Sequence, residues 1–239
     1  LRAIIGTALI RKTTLPEHRT LETENVTVWA DVPRATFDHD GAGDVGAIEY
    51  GEGHAREAQW RHRRVILMGR NVYDTVVSAY FHCTRRVNTY VGPIADFVRC
   101  ERFGAIPILR FYNDWYRNRQ VPKDFQYITY EDLHQEPLAT VRLALDFMGA
   151  HHITDDEITH AIEVCEFDKL KKAEQNDKYQ ISILRATDKG DPETYKVRRG
   201  TIGGYVDYLS PDDIQYIDEI VKQYACPYTQ FSKSDEQAP

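Results

Sequence analysis

Arg70 and Ser78 stand eight positions apart in the run RRVILMGRNVYDTVVSAYFH, residues 63–82. The chemistry open to this pair is the holding of an anion. Val65 to Met68 is a short apolar run of strand character that ends at Gly69-Arg70. Asn71 then opens a segment that places Val72, Val76, Val77 and Tyr80 on one helical face. Strand, tight turn and helix in that order set a helix N-terminus at a strand end, where backbone N–H groups and the helix dipole favour negative charge. Arg70 stands at that mouth with a fixed charge and a planar fork suited to phosphate. Ser78, about two turns into the helix, can add a hydroxyl donor. Standing alone, the pair also admits a plain reading: a surface Arg and a helix Ser with no ligand.

A second candidate for anion binding lies at residues 197–208, VRRGTIGGYVDY. Two adjacent cations, Arg198 and Arg199, precede Gly200, whose freedom to take positive φ lets a backbone close on a phosphate. In isolation such a triplet reads as a solvated basic loop. Tyr130-Glu131-Asp132-Leu133 follows a predicted strand at Phe125 to Thr129, and Val164-Cys165-Glu166-Phe167 leads into Lys169-Leu170-Lys171-Lys172. Tyr130 and Phe167 suit either stacking on a flat ring or ordinary core packing.

The elements that must position these residues follow from periodicity and caps. Residues 1–10 read as a helix, Val26 to Ala30 and Ala35 to Asp38 as strands, and Asp40 to Asp44 as a turn. Helical patterns follow at 71–83, 92–99, 107–119 and Leu138 to Met148. Thr154-Asp155-Asp156-Glu157 is a capping box, and Ser210-Pro211-Asp212-Asp213 opens a last helix that runs to about Tyr224. Residues 176–209 lack periodicity and read as a long functional loop. This order suits an α/β domain with a mostly parallel sheet. A length of 239 residues with 42% hydrophobic residues fits one large domain spanning 1–239. The net charge of −7 disfavours general nucleic-acid binding, while Arg61, Arg63, Arg64, Arg70, Arg198 and Arg199 can make a locally basic site. No run is long enough to span a membrane. The opening residues lack the pattern of a signal peptide. Four widely spaced cysteines, Cys83, Cys100, Cys165 and Cys226, suit reduced thiols in the cytoplasm.

Taken in order along the chain, these segments resemble the sulfotransferases that use 3′-phosphoadenosine 5′-phosphosulfate (PAPS), of the cytosolic and bacterial type. The resemblance covers roughly residues 1 to 225. It implies that Arg70 and Ser78 hold the nucleotide's 3′-phosphate, and Asp74 and Tyr80 also fit the family pattern there. Arg198, Arg199 and Gly200 match the family's Arg-Lys-Gly triplet, with Arg in place of Lys. Gly203 and Tyr205 match the Gly and aromatic that follow, where the family usually has Trp. Tyr130 matches a Tyr that contacts adenine. Cys165 and Phe167 stand where a small residue and a Phe line the adenine pocket.

The resemblance further implies a P-loop-type fold, a central sheet flanked by helices, and transfer of a sulfuryl group from PAPS to a hydroxyl or amine, leaving PAP. The acceptor would be a small molecule or a carbohydrate. The family's N-terminal phosphosulfate loop is lacking, and the chain reads as starting just after it; as the whole protein it would be expected to be inactive. His39 matches the family's general base, with imidazole chemistry suited to deprotonating a hydroxyl. Asp38 and Asp40 are the alternatives, and Phe37 stands where cytosolic animal enzymes carry a Lys. His151, His152 and His160 lie near Asp155, Asp156 and Glu157, where boundary polar residues are a better reading than a metal site. Two other functions stay open: a degenerate module that binds PAP(S) or a glycan, and a P-loop nucleotide kinase. The kinase shares the architecture but leaves Arg70, Ser78 and the triplet unexplained.

Overall fold

The computed structural model describes residues 1–37, 60–180, 190–224 and 226–229, with 186 and 188. In chain order its elements are α1 (Arg2–Ile10), α2 (Thr23–Trp29), β1 (Arg64–Gly69), α3 (Val72–Phe81), α4 (Ile94–Arg99), α5 (Ala105–Asn118), β2 (Asp124–Thr129), α6 (Tyr130–Gln135), α7 (Pro137–Met148), α8 (Asp155–Val164), α9 (Phe167–Gln175) and α10 (Pro211–Gln223). Local chemistry explains most of the starts. Asn71 accepts the Asp74 N–H ahead of α3, and Thr129, Thr154 and Ser210 each form a capping box with the acid three residues on. Pro137 and Pro211 occupy first turns, where their missing N–H costs nothing.

The chain divides into two compact units, Leu1–Asp40 with Ile128–Gly200, and Gly41–Tyr127 with Thr201–Pro239. In the first, α1 packs on α2 and α8, and α7 packs on α6 and α8. Leu9, Leu145, Ile153 and Ile158 are fully buried there. The predicted strand at Val26 to Ala30 is instead the helix α2. Val26, Thr27 and Ala30 are buried while Val28 and Trp29 are exposed, a helical spacing rather than an alternation. The Thr27 hydroxyl returns to the Thr23 carbonyl at 2.9 Å. Packing on α1 here overrides the strand preference of Val, Thr and Trp. Ala35 to Phe37 form no strand either, and Asp38 lies outside the described residues.

In the second unit β1 pairs with β2 in a two-stranded sheet. The Lys123 N–H donates to the Arg63 carbonyl at 2.9 Å, and Arg64 pairs with Asp124 at 3.0 Å. The two strand starts therefore lie side by side, and the pair is parallel. Trp60, Val65, Leu67 and Trp115 pack under it, with Phe125 and Tyr127 joining them. A larger core joins α3, α4, α5 and α10 through Val72, Val76, Phe97, Leu109, Tyr112 and Ile217. Within the predicted loop 176–209 the described residues form two short 3-10 turns, Pro192–Thr194 and Gly204–Asp207.

Candidate functional site

In the second unit the strand β1 stops at Gly69, and Arg70 occupies the turn into α3. The buried Tyr112 hydroxyl accepts the Arg70 N–H and donates to the Arg70 carbonyl, both at 2.9 Å. The Asp74 N–H is taken by the Asn71 side chain at 2.8 Å. Two of the amides at this helix mouth are thus already paired, which shifts the anion-binding capacity toward the Arg70 side chain. Its Nη2 donates to the Thr201 carbonyl at 3.1 Å and lies 3.5 Å from Asp74 Oδ2. The Arg70 side chain is about a quarter exposed, at 27%. Ser78 is exposed on α3, one helical turn after the buried Asp74.

Asp74 is buried at 4% exposure. Its carboxylate receives the Asn71 side-chain amide at 2.8 Å, the Gly203 N–H at 2.9 Å and the Tyr205 N–H at 3.0 Å. Gly203 presents its N–H from a left-handed conformation, φ +75°, which glycine adopts without strain. The Tyr205 ring stacks on Tyr73 with centroids 4.8 Å apart. Residues 203 and 205 are therefore tied to the first turn of α3, and residue 201 to Arg70 in the turn before it.

The first unit holds the other sequence-derived candidates. The structure brings Phe167 and Gly200 together: a Cβ on Gly200 would lie 2.3 Å from the Phe167 ring, and its φ is +66°. Both facts demand glycine. Phe167 is half-buried at the start of α9, with the Lys171 ammonium 5.8 Å from its ring centroid. Glu174, further along α9, is buried and accepts the Lys196 and Val197 N–H groups at 2.7 and 2.8 Å. That pair fixes the chain just before the triplet. Arg198 forms an ion pair with Glu193 at 3.0 Å, and Arg199 is exposed.

Tyr130 is half-buried at the start of α6, its ring 4.4 Å from that of His134. In the same motif Asp132 completes the cap of α6 and Leu133 is buried, so these two have structural work of their own. Cys165 is buried, with its Sγ 3.4 Å from the Thr7 hydroxyl. Burial pushes its thiol pKa up, and the Thr7 hydrogen bond offsets this only in part. It therefore serves as a neutral small side chain rather than a nucleophile. His39, with Asp38 and Asp40, lies outside the described residues. Among the described residues no group of His, Cys, Asp and Glu is arranged to hold a metal ion, and His151 pairs with Asp146 at 3.1 Å. No described helix is long and apolar enough to cross a membrane. The four cysteines carry free thiols.

Sequence reasoning assigned no role to Tyr112 or Glu174, and took Asp74 only as a pattern match. An acid one helical turn after Arg70 was the sole signal for Asp74. Nothing local marked the other two, because their partners are distant in sequence.

The chain as a whole is similar to known proteins. A family model described as the sulfotransferase domain matches residues 56–233. The flavonol 3-sulfotransferase of Flaveria bidentis is 25% identical over 176 residues, covering 67% of this chain and 54% of its own length. Cytosolic sulfotransferase 10 of Arabidopsis thaliana is 22% identical over 170 residues, covering 67% of this chain and 49% of its own. The chain thus spans about half the length of the curated relatives it matches. Among solved structures, mouse sulfotransferase SULT7A1 complexed with PAP aligns with a TM-score of 0.56 at 17% identity, covering 72% of this chain and 62% of the other. Retinol dehydratase in complex with androsterone and inactive cofactor PAP aligns at 0.53 and 18% identity, covering 69% and 48%. At this level of identity the likeness establishes the P-loop-type α/β fold that the sequence led us to expect.

Proposed function

The chain belongs to the sulfotransferase domain family, and from that premise we propose that it works with PAPS to sulfate a hydroxyl or amine on a small molecule. The observation that carries this reading is the hydrogen bond from Arg70 to Thr201. It ties the strand-end Arg to the residue directly after Arg198-Arg199-Gly200, and so supports a shared purpose for two motifs far apart in sequence. Two solved structures of similar fold hold PAP, which supports the choice of nucleotide. Cytosolic sulfotransferases among the relatives support a cytoplasmic location.

In this reading Arg70 and Ser78 hold the 3′-phosphate, and Arg198, Arg199 and the backbone of Gly200 also bind the nucleotide. Two observations support this: the Arg70 side chain is partly exposed, and Ser78 is exposed on α3. Tyr130, Cys165 and Phe167 form the adenine pocket. Phe167 offers a ring face, and the buried neutral thiol of Cys165 adds apolar lining. When bound, PAPS supplies the sulfuryl group. His39 takes the proton from the acceptor hydroxyl. The rest of the rate enhancement would come from orientation and fixed positive charge.

The test is calorimetry with PAP and AMP, which differ by the 3′-phosphate. Arg70→Ala should weaken PAP by about 10- to 100-fold, the loss of one charge-assisted hydrogen-bonding partner, and AMP by much less. Equal losses for the two ligands would remove the assignment. For His39, turnover is the measurement: His39→Ala should lower it by about two to four powers of ten at unchanged PAPS affinity. Near-normal turnover, with the activity lost instead in Asp38→Ala or Asp40→Ala, would make the base a carboxylate.

A further inference from the structure

A buried carboxylate beside a phosphate site works against it electrostatically. Asp74, in the first turn of α3, stands in sequence between Arg70 and Ser78 and lies 3.5 Å from the Arg70 guanidinium, which the nucleotide reading assigns to the 3′-phosphate. It is buried at 4% exposure, so its charge is costly unless matched by donors. The matching donors say what the charge is for. Asn71 fixes the carboxylate from the cap of α3, and Arg70 approaches it at 3.5 Å. The other two donors are the backbone N–H groups of Gly203 and Tyr205. Asn71, Gly203 and Arg70 converge on Oδ2, while the Tyr205 N–H takes Oδ1. Arg70 meanwhile reaches the same loop at the Thr201 carbonyl.

We propose that Asp74 is a positioning residue for the 3′-phosphate site: one carboxylate sets the path of residues 201–205 and the seat of the Arg70 guanidinium together. Loop order and phosphate binding then rise and fall as one quantity. A hydrophobic residue at position 74 could pack the helix, but it could not accept the two loop amides. Asparagine would fit the space, yet its NH₂ would face a donor in place of an acceptor. The Tyr73–Tyr205 stack holds the loop's aromatic end without involving the carboxylate. Asp74→Asn should therefore loosen the loop's backbone without detaching it. This inference rests on the nucleotide reading of Arg70.

The experiment joins hydrogen exchange with calorimetry. In Asp74→Asn, exchange at the Tyr205 amide, which then faces an NH₂ group, should quicken by about tenfold or more, the span expected for losing a hydrogen bond to a charged acceptor, and the Gly203 amide, still facing an oxygen, by less. PAP affinity should fall by about tenfold or more while AMP affinity changes by less than about threefold. The double variant Arg70→Ala/Asp74→Asn should bind PAP no more weakly than Arg70→Ala alone, since the two act as a unit. A purely structural Asp74 would weaken both ligands alike and add its loss to that of Arg70; that result overturns the proposal. If Arg70→Ala itself shows no preference for PAP over AMP, the nucleotide reading fails, whatever the exchange at Gly203 and Tyr205. Should Asp74→Asn not fold, the unmodified protein still decides the matter. PAP, but not AMP, should slow exchange at the Gly203 and Tyr205 amides, and unchanged exchange on adding PAP refutes the coupling.

Discussion

Asp74 and Glu174 do similar work in different ways. Both are buried to 4% exposure on helices, and each accepts two backbone N–H groups from the stretch 196–205. Glu174 takes neighbouring amides, Lys196 and Val197, one on each oxygen. Asp74 takes Gly203 and Tyr205, two positions apart, and adds the Asn71 amide and the Arg70 guanidinium. The first is a fastening of backbone to helix. The second binds backbone, cap and a candidate ligand group in one cluster. A buried acid that fastens a loop's main chain reports on folding, whereas one that also meets a candidate binding side chain can report on ligand.

The largest effect should come from cutting the Glu174 fastening. Glu174→Ala leaves the Lys196 and Val197 amides without this acceptor, at a cost of about 2–4 kcal/mol. For a chain of this size that corresponds to a melting temperature lower by about 5–15 °C. PAP and AMP should weaken together, because the damage reaches the whole stretch and not Arg70. A loss confined to PAP would erase the contrast with Asp74.

A carboxylate at the surface sharpens the comparison with a much smaller effect. Glu157 has its pKa held down to about 2, chiefly by the Lys12 ammonium at 2.5 Å and then by the Thr154 N–H. Its folded pKa lies below the unfolded value of about 4.3. The stability it contributes is therefore complete above about pH 4.3 and is lost as pH falls toward about 2. Solvent reaches both partners, so the contribution is small. Glu157→Gln should flatten the fall in melting temperature between pH 5 and pH 3 by about a few degrees at most. An unchanged slope would assign the acid sensitivity elsewhere.

What was legible in the sequence was local chemistry. Asn71, Thr154 and the Ser210-Pro211 pair declared helix starts because a cap acts within three residues. The strand β1 showed itself as a short apolar run and the helix α3 by the spacing of its apolar residues. The cap at Thr129 was equally local, hidden only because Asp132 belongs to a motif valued for Tyr130. α2 was misread because Val-Thr-Val-Trp prefers strands locally, while its actual state depends on α1. Of the site, Arg70 and the triplet could be named, and Gly200 acquired a second reason in the Phe167 ring. Asp74, Glu174 and Tyr112 could not be given roles, since each acts on residues that only the fold brings near.

The hydroxyl of Tyr112 closes on both polar groups of the Arg70 peptide. Along a strand side chains alternate between faces, so running β1 on by one residue would commit the next side chain to a fixed side of the sheet. Tyr112 acts as a full stop that prevents this. Its ring belongs to the core and its oxygen to the turn. The direction in which Arg70 leaves the strand is thereby written in the packing of α5, and a change deep among the aromatic residues of that core can redirect a charge at the surface without touching it.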